Sequence, residues 1–279
     1  MKKLRKSLLF ILTGLLSLTL IVGCGDSETS GPDSGEATTG LPLSGQHFII
    51  AVNAENAPME SVDPSGEYIG FSVDLAAALA DRLGFTYEWS DMEFFGLIGS
   101  IQEGRADMIL SSISATDERR EMVDFSDGYF QPITCIISAK DSGISTIEDL
   151  NGRKVGGATG TLFEKYAQTI PGVNYVSFDS TVPAIEIIGT SQLDAIIESS
   201  SYGERYAAGK DLDVHVIPKS VIREYAPFYA IAFPKGSDEN VKLFNEALAE
   251  LETDGTLQEL RSEWLGQDYV DKLAIFNEE

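Results

Sequence analysis

Short apolar runs alternate with longer amphipathic segments along most of the chain. Runs such as FIIAV (48–52), ITCIISA (133–139) and PFYAIAF (227–233) have the length and composition of buried strands. Between them, segments such as FSVDLAAALADRLG (71–84) repeat apolar positions at helical spacing and end in glycine, which is favoured at a helix C-terminus. The repeated order strand, helix, strand predicts an α/β fold of mostly parallel open sheets, with ligands bound near strand C-terminal ends.

The first part of the chain follows a different pattern. A basic start at residues 2–6 precedes an apolar run over residues 8–22, which is followed by Gly23 and Cys24. This order is typical of a secretory signal sequence. A membrane-spanning anchor is less favoured, because the run is shorter than the ~20 residues that span a bilayer core. Residues 25–44 are rich in Gly, Ser, Thr, Pro and acids, which predicts a flexible tether.

The charge balance argues against a nucleic-acid partner, and the small numbers of cysteines and histidines argue against a disulfide framework and a histidine-based metal site. The chain has 20 Lys and Arg against 44 Asp and Glu, so its net charge is −24. Such a chain offers no broad basic surface for phosphates, and a nucleic-acid partner is disfavoured. Two cysteines, Cys24 and Cys135, cannot form a disulfide framework, and the two histidines disfavour a histidine-based metal site. Cys135 lies inside an apolar strand and is predicted to be plain core.

The order IVGC at residues 21–24 resembles the lipobox of bacterial lipoproteins. The resemblance implies that residues 1–24 are a signal peptide ending in a cysteine that receives lipid, such as palmitate, and becomes the N-terminus after cleavage. Cys24 is the predicted lipidation site. Negative charge keeps the folded body off anionic lipid, so we expect an extracytoplasmic protein that contacts the cell membrane through its lipid anchor only.

Four segments carry a resemblance to a known family: YIGFSVDLAAALADRLG, FGLIGSIQEGRADMILSSISATDERREMVDFSDGYF, KDSGISTIEDLNGRKVGGATGTLFEKY and TLQELRSEWLG. From about residue 47 to residue 266 the chain resembles the polar amino-acid class, family 3, of solute-binding proteins that serve ABC importers. The resemblance implies a two-lobed periplasmic-binding-protein-like α/β fold, with two open sheets flanked by helices and two crossover hinge strands. Lobe 1 would comprise residues 45–131 and 228–279, and lobe 2 residues 132–227, with the ligand closed between them.

The run SSISATDER (111–119) holds the first candidate site residues. From the residues alone, Thr116 is an N-cap and Arg119 is a surface residue paired with a nearby acid. The resemblance implies instead that Arg119 grips a ligand carboxylate with two parallel donors, while Ser112 and Ser114 add hydroxyl or backbone contacts. We therefore predict a carboxylate clamp here.

The turn GATGTLFE (157–164) is the predicted second half of the clamp. A helix that begins near Thr161 presents free N–H groups and the positive end of its dipole, which suits a carboxylate. Simple capping by Thr159 or Thr161 is a compatible interpretation. The resemblance implies that this turn binds the same carboxylate, so Thr159, Thr161 and Leu162 are assigned to the site. Because the open form offers only half of the contacts, binding then drives closure.

Two phenylalanines precede the helical segment GLIGSIQEG. By periodicity alone, one of them belongs to the core. The resemblance implies that Phe94 walls the pocket, which leaves Phe95 to the core or the rim.

The sequence departs from the related family at positions that matter for ligand choice. The first loop, NAENAPME, has Asn53 and Asn56 where relatives commonly have an aspartate and an aromatic residue. Ser199 stands where relatives place an aspartate for the ligand's α-ammonium, with Glu198 beside it. Since neighbouring strand residues point to opposite faces, we expect Glu198 to turn away if Ser199 faces the ligand, unless the strand ends or bulges there. Either Glu198 or Glu55 reaches into the cleft and restores the negative charge, or the ligand has a neutral or modified group in place of the ammonium. The second alternative is favoured.

The favoured function is a monomeric, lipid-anchored binding protein without chemistry of its own. It would capture a small carboxylate-bearing solute, an amino acid or related compound, and pass it to an ABC transporter permease. The alternative is a cyclohexadienyl-dehydratase-like enzyme on the same scaffold. Catalysis needs a positioned acid with a shifted pKa, for which Glu55 and Glu198 are the candidates. Neither function implies a cofactor.

Overall fold

The structure is a computed structural model, and the residues it describes are 40–222, 225, 227–266, 269, 272, 273 and 276. The predicted signal peptide, the predicted lipidation site Cys24 and residues 25–39 of the predicted tether lie outside the described residues. Within the described part of the chain, no helix is long and apolar enough to cross a membrane.

The first of two open five-stranded sheets contains β1 (His47–Val52), β5 (Thr86–Asp91), β6 (Met108–Ile109), β7 (Asp124–Phe130) and β13 (Tyr229–Phe233). Their order is β5-β1-β6-β13-β7. β1 runs parallel to β5 and β6, whereas β13 runs antiparallel to β6 and β7. A small sheet of β2 (Glu55–Asn56), β3 (Glu60–Val62) and β4 (Tyr68–Ile69) precedes the first helix.

The second sheet contains β8 (Thr134–Ala139), β9 (Lys154–Ala158), β10 (Asn174–Phe178), β11 (Ala195–Ser199) and β12 (Leu212–Val216). Their order is β10-β9-β11-β8-β12. β9 runs parallel to β10 and β11, and β8 runs antiparallel to β11 and β12. We call the first sheet with its helices lobe 1 and the second lobe 2; the residue boundaries given to them from the sequence stay a prediction.

The helices cover the sheets through their apolar faces. Lobe 1 carries α1 (Phe71–Leu83), α2 (Leu97–Gln102), α3 (Asp117–Met122), α8 (Asp238–Thr253) and α9 (Thr256–Leu265), with a 3-10 turn at Phe94–Gly96. Lobe 2 carries α4 (Leu162–Thr169), α5 (Val182–Ile185) and α6 (Ser200–Ala207), with a 3-10 turn at Glu148–Leu150, and α7 (Lys219–Ile222) follows β12.

Helix α1 forms where the apolar spacing predicts it. Its buried residues recur three or four positions apart and include Phe71, Leu75, Leu79 and Leu83. It ends at Gly84, which adopts the left-handed conformation that glycine accepts without strain. The sequence pattern therefore specifies both the buried face and the end of this helix.

The expectation of mostly parallel sheets is confirmed, because four of the five strands in each sheet run in one direction and one strand, β13 in lobe 1 and β8 in lobe 2, runs against them. The chain passes from lobe 1 to lobe 2 between Phe130 and Thr134 and returns between Val216 and Tyr229. The strand that follows each crossing, β8 in lobe 2 and β13 in lobe 1, enters its sheet against the direction of both neighbours. A pattern of strands and helices does not reveal where a chain changes sheets.

The predicted tether extends too far at its C-terminal end. Leu43 is only 2% exposed and belongs to the main core, and its backbone N–H donates to the Leu83 carbonyl over 2.8 Å. The turn at residues 41–44 therefore packs on the end of α1 as part of the folded body. A single buried leucine in a polar segment leaves no periodic signal.

Aromatic side chains pack around the first crossing. The ring of Phe130 lies 5.6 Å from those of Tyr229 and Tyr269, between ring centroids. The Tyr269 hydroxyl accepts from Ile133 N and donates to Gln131 O, each over 3.3 Å. Tyr269 thus ties the chain beyond α9 to the segment that joins the two lobes.

Candidate functional site

A cavity lies between the two lobes, and the centres of water molecules reach about 50 Å³ of its interior. The structure brings eight of the ten predicted ligand residues to its wall: Asn53, Asn56, Phe94, Ser112, Ser114, Arg119, Thr161 and Leu162. Thr159 and Ser199 do not line it. The sequence motifs therefore place most of the predicted residues at one cavity. The side chains of Thr159 and Ser199 form hydrogen bonds elsewhere.

Arg119 is buried in the cavity wall. Thr116 is the N-cap of α3 and accepts from Arg119 N, as predicted, and this fixes the first turn that carries the guanidinium. Nη1 donates to Ser114 O over 2.8 Å and Nη2 donates to Gly160 O over 2.9 Å, so Arg119 joins both lobes. Burial lowers its pKa to about 10, which leaves it positively charged at neutral pH. The expectation of a surface residue, drawn from the residues alone, is wrong.

Phe94 faces Arg119, and its ring centroid lies 5.5 Å from the guanidinium carbon. The arrangement combines a flat apolar wall with a cation–π contact. Phe95 is 57% exposed and lies at the rim, where it meets Gly160 of the other lobe.

Sequence reasoning missed Glu60, a carboxylate that lines the cavity while only 1% exposed. It accepts from Ser112 Oγ over 3.0 Å and from Asn56 Nδ2 over 3.2 Å. Ser112 has a φ of 49°, a left-handed conformation that is uncommon outside glycine and often found at functional sites. Burial raises the pKa of Glu60 to about 7, against the opposing effect of these hydrogen bonds.

At the end of β11 the structure reverses the expected orientation of two side chains. Glu198 lines the cavity and is 8% exposed, and burial raises its pKa to about 8. Ser199 is instead the N-cap of α6, where its hydroxyl accepts from Tyr202 N over 3.4 Å. Because the strand ends there and the helix needs a cap, the serine is turned from the cavity and the glutamate faces it. The expectation that Glu198 turns away is therefore wrong.

The first turn of α4 faces the cavity through Leu162 and Phe163. Thr161 caps this helix by accepting from Glu164 N over 3.1 Å, and the Glu164 carboxylate accepts from Gly160 N over 2.6 Å. First-turn N–H groups of a helix have no partner within it. The predicted anion seat of lobe 2 is thus at the cavity wall, although Thr159 is not: its hydroxyl bonds to the Ser177 hydroxyl and the Phe178 carbonyl instead.

Asn53 is held by hydrogen bonds to a side chain and to the backbone of lobe 1. Its N–H donates to Ser111 Oγ over 2.8 Å, and its Nδ2 donates to Met92 O over 3.1 Å. The side-chain oxygen of an amide accepts hydrogen bonds, so Asn53 offers the cavity a neutral acceptor where an aspartate would offer a charge.

The described cavity wall is strongly acidic. Arg119 is its one cation, against four carboxylates, those of Glu55, Glu60, Asp179 and Glu198. The acids come from both lobes, and the two most deeply buried, Glu60 and Glu198, lie in lobes 1 and 2 respectively. Candidates for this role from sequence included Glu55 and Glu198 but not Glu60 or Asp179.

Further contacts join the two lobes around the cavity. Lys165 of α4 forms an ion pair with Glu118 of α3. The Tyr206 hydroxyl of α6 donates to Glu55 O over 3.5 Å. Together with the Arg119 contact to Gly160, these bonds hold the lobes closed over the cavity.

Residues 48–267 match the family described as bacterial extracellular solute-binding proteins, family 3. The chain belongs to this family. The arginine-binding extracellular protein ArtP of Bacillus subtilis (strain 168) is 33% identical over 265 residues, which cover 94% of this chain and 98% of ArtP. Family membership confirms the resemblance drawn from the sequence motifs and supports a solute-binding role outside the cytoplasm.

Two solved structures have the same fold as this family member. An ancestral arginine-binding protein bound to arginine has a TM-score of 0.72 and 29% identity, covering 79% of this chain and 98% of that one. The ancestral amino acid-binding protein AncCDT-1, a precursor of cyclohexadienyl dehydratase, has a TM-score of 0.71 and 28% identity, covering 78% and 95%. The predicted two-lobed α/β fold is confirmed.

Proposed function

We propose that this family 3 protein binds an amino acid with a cationic side chain between its lobes and delivers it to the permease of an ABC importer. The observation that carries the proposal is the cavity wall, which combines one buried guanidinium with four carboxylates. The proposal replaces the expectation of a ligand without a cationic group, because that expectation required Glu198 to point elsewhere.

Arg119 is the proposed seat of the ligand carboxylate. A guanidinium has five N–H donors, and two of them are used by Ser114 O and Gly160 O. In the described structure the other three have no hydrogen-bond partner, and the first turn of α4 lies across the cavity from them. A carboxylate placed between these donors contacts both lobes and favours the closed form.

The acidic residues are the proposed seats of the ligand's cations. An α-amino acid brings one ammonium, and a cationic side chain brings a second positive charge. A buried charge without a partner is costly, so a cavity with this excess of carboxylates favours a ligand with excess positive charge. The arginine-binding descriptions of ArtP and of the ancestral protein agree with this chemistry.

Calorimetric titration with matched ligands tests the proposal. Arginine and citrulline have the same shape but differ in side-chain charge, and lysine and glutamine extend the comparison. We expect arginine or lysine to bind at least tenfold more tightly than its neutral counterpart. This ratio corresponds to a difference of about 1.4 kcal/mol in binding free energy. Equal affinity for citrulline and arginine, or tighter binding of a neutral or acidic amino acid, would contradict the assignment.

An enzyme on this scaffold is the second candidate, favoured by the placement of Glu60 and Glu198. Buried acids with raised pKa values are what general-acid catalysis requires. AncCDT-1 supports a link between such binding proteins and dehydratases, although it is described as a binding protein. Incubation with cyclic amino-acid substrates decides between the two, because product formation that Glu198→Gln abolishes would establish catalysis.

The membrane anchor is part of the proposal. The basic start, the apolar run and the IVGC order of the sequence support lipidation of Cys24 and attachment of a monomeric body to the cell membrane.

A further inference from the structure

The cavity contains two carboxylates that have lost almost all contact with solvent. Glu60 is 1% exposed and Glu198 is 8% exposed. They belong to different lobes and face the same cavity. In contrast, Asp179, which also lines the cavity, lies at an exposed position. The two buried acids therefore form a distinct class within the acidic wall.

The polar partners of Glu60 are neutral. Ser112 Oγ and Asn56 Nδ2 donate to its two carboxylate oxygens. The titratable groups that interact with it electrostatically are the phenols of Tyr129 and Tyr229. Burial raises the pKa of both phenols, so they stay uncharged. Nothing described next to Glu60 supplies a positive charge.

Glu198 has equally neutral surroundings. Its side chain accepts from Ser199 N over 2.8 Å. The titratable groups around it, which burial keeps uncharged, are Cys135, Tyr175, Tyr202 and Tyr229. Arg119 lines the same cavity, but its hydrogen bonds go to the backbone carbonyls of Ser114 and Gly160.

We propose that Glu60 and Glu198 carry protons in the ligand-free protein and release them to solvent when a cationic ligand enters, so that capture exchanges protons for the ligand's charges. The inference rests on the proposed function. Each O–H bond breaks as the ligand cation arrives, and the proton leaves to water while the carboxylate stays and pairs with the cation. The exchange avoids two buried anions in the empty cavity and two buried unpaired cations in the full one.

The exchange makes affinity depend on pH. Burial raises the pKa of Glu60 to about 7 and that of Glu198 to about 8, so both acids are largely protonated at weakly acidic pH. For each proton released, the association constant falls about tenfold per pH unit below these pKa values. Cationic amino acids are then held at neutral pH and released in an acidified medium.

Infrared spectroscopy of the ligand-free protein tests the first half of the inference without any ligand. Ordinary carboxyl groups are ionised at neutral pH, so we expect a protonated-carboxyl C=O band there that disappears as the pH is raised. Glu60→Gln and Glu198→Gln should each remove part of it, while Asp179→Asn should leave it unchanged. The absence of such a band, or a band that neither glutamine variant alters, would overturn the proposal.

Calorimetry with arginine in buffers of different ionisation enthalpy tests the second half. The dependence of the observed heat on the buffer gives the number of protons released, which we expect to be between one and two for the wild-type protein. Glu60→Gln and Glu198→Gln should each lower this number. Asp179→Asn is the matched control, because it removes a cavity charge and lowers affinity but should leave the proton number unchanged.

The outcomes separate this inference from the proposed function. Tight arginine binding without proton release refutes proton exchange and leaves the function standing. Failure of arginine and lysine to bind refutes the function and the release step together, and the infrared band then still decides whether the two acids hold protons.

Discussion

Arg119 and Glu60 illustrate how a fold can keep charged groups in its interior. Arg119 uses backbone carbonyls from both lobes as partners, so its charge is compensated by dipoles. Glu60 lies among neutral donors, and its pKa rises instead. A buried cation of high intrinsic pKa keeps its proton, whereas a buried carboxylate gains one, and the two groups consequently respond to pH in different ways.

Removal of the Arg119 guanidinium should strongly weaken ligand binding. We expect Arg119→Ala to lower affinity about a hundredfold, on the order of 3 kcal/mol, because a desolvated two-donor contact is lost. Arg119→Lys should restore binding only in part, since an ammonium does not present two parallel donors. Arg120→Ala is the control, as Arg120 lies on the same helix but is exposed. Calorimetry would measure these affinities, and an unchanged affinity in Arg119→Ala would refute the clamp.

The contribution of Glu60 to the stability of the ligand-free protein should decrease as pH rises. The pKa of Glu60 is raised from 4.5 to about 7 on folding, so its contribution to stability is complete below about pH 4.5 and is lost as pH rises through about 7. The loss is roughly 3 kcal/mol at most. Urea denaturation at several pH values should show a smaller decrease for Glu60→Gln than for the wild-type protein. Parallel curves for the two proteins would argue against the raised pKa.

At the scale of elements, the ends of helices and strands form most of the site. Threonine caps precede both α3 and α4, and Arg119 in the first turn of α3 donates to the carbonyl of Gly160, just before the cap of α4. β11 ends at Ser199, which leaves Glu198 at the wall. Helix caps can be predicted from sequence. The direction of the last side chain of a strand cannot, because that side chain can either cap the next helix, as Ser199 does, or face the ligand.

Gly160 allows a direct test of how the lobes meet. Its φ is +79°, and a Cβ there would lie 3.3 Å from Phe95 Cβ of the other lobe. Gly209 has a φ of +75° and no atom within 4 Å of such a Cβ, so it is a matched control for backbone strain. We expect Gly160→Ala and Gly209→Ala to lose similar stability, about 1 kcal/mol each.

Only Gly160→Ala should also lower ligand affinity, because it obstructs closure. Thermal unfolding and calorimetric titration of the two variants would separate the effects. Equal loss of affinity in both variants would show that the Phe95 contact is unimportant.

At the scale of the whole molecule, two lobes share one chain that crosses between them twice. Tyr269 lies at the first crossing, with its hydroxyl bonded to Gln131 and Ile133 and its ring on Phe130. Described residues beyond α9 also reach lobe 2, since Lys272 pairs with Glu204. Tyr269 thus contacts the first crossing, and Lys272 contacts the second lobe.

Membrane attachment should depend on Cys24 alone. We expect Cys24→Ser to abolish stable association with the membrane, because the lipid is lost and the acidic charge of the chain disfavours contact with anionic lipid. Fractionation of cells that express either form would show the variant in the soluble fraction. Cys135→Ser is the control and should remain membrane-bound, and a membrane-bound Cys24→Ser protein would refute lipid anchoring at this residue.

The sequence predicts the overall fold, and eight of its ten predicted ligand residues line the cavity, because segments such as SSISATDER and GATGTLFE resemble those of the family. Glu60 escapes prediction because it lies on β3, a strand of three residues that is too short to show periodicity. Which of Glu198 and Ser199 faces the cavity depends on where β11 ends. The burial of Leu43 depends on its contact with the end of α1. These three features are set by tertiary structure, which a local pattern does not contain.

Cys135 makes this protein convenient as an optical sensor. It is fully buried and is the one free cysteine in the described part of the chain, and burial raises the pKa of its thiol, which suppresses reaction with maleimide dyes. In a chain that carries Cys24→Ser, a Phe95→Cys substitution would place a single reactive thiol at the rim, beside Gly160 of the opposite lobe. A fluorophore attached there would change its emission as the lobes separate and meet, and so report ligand concentration directly as light.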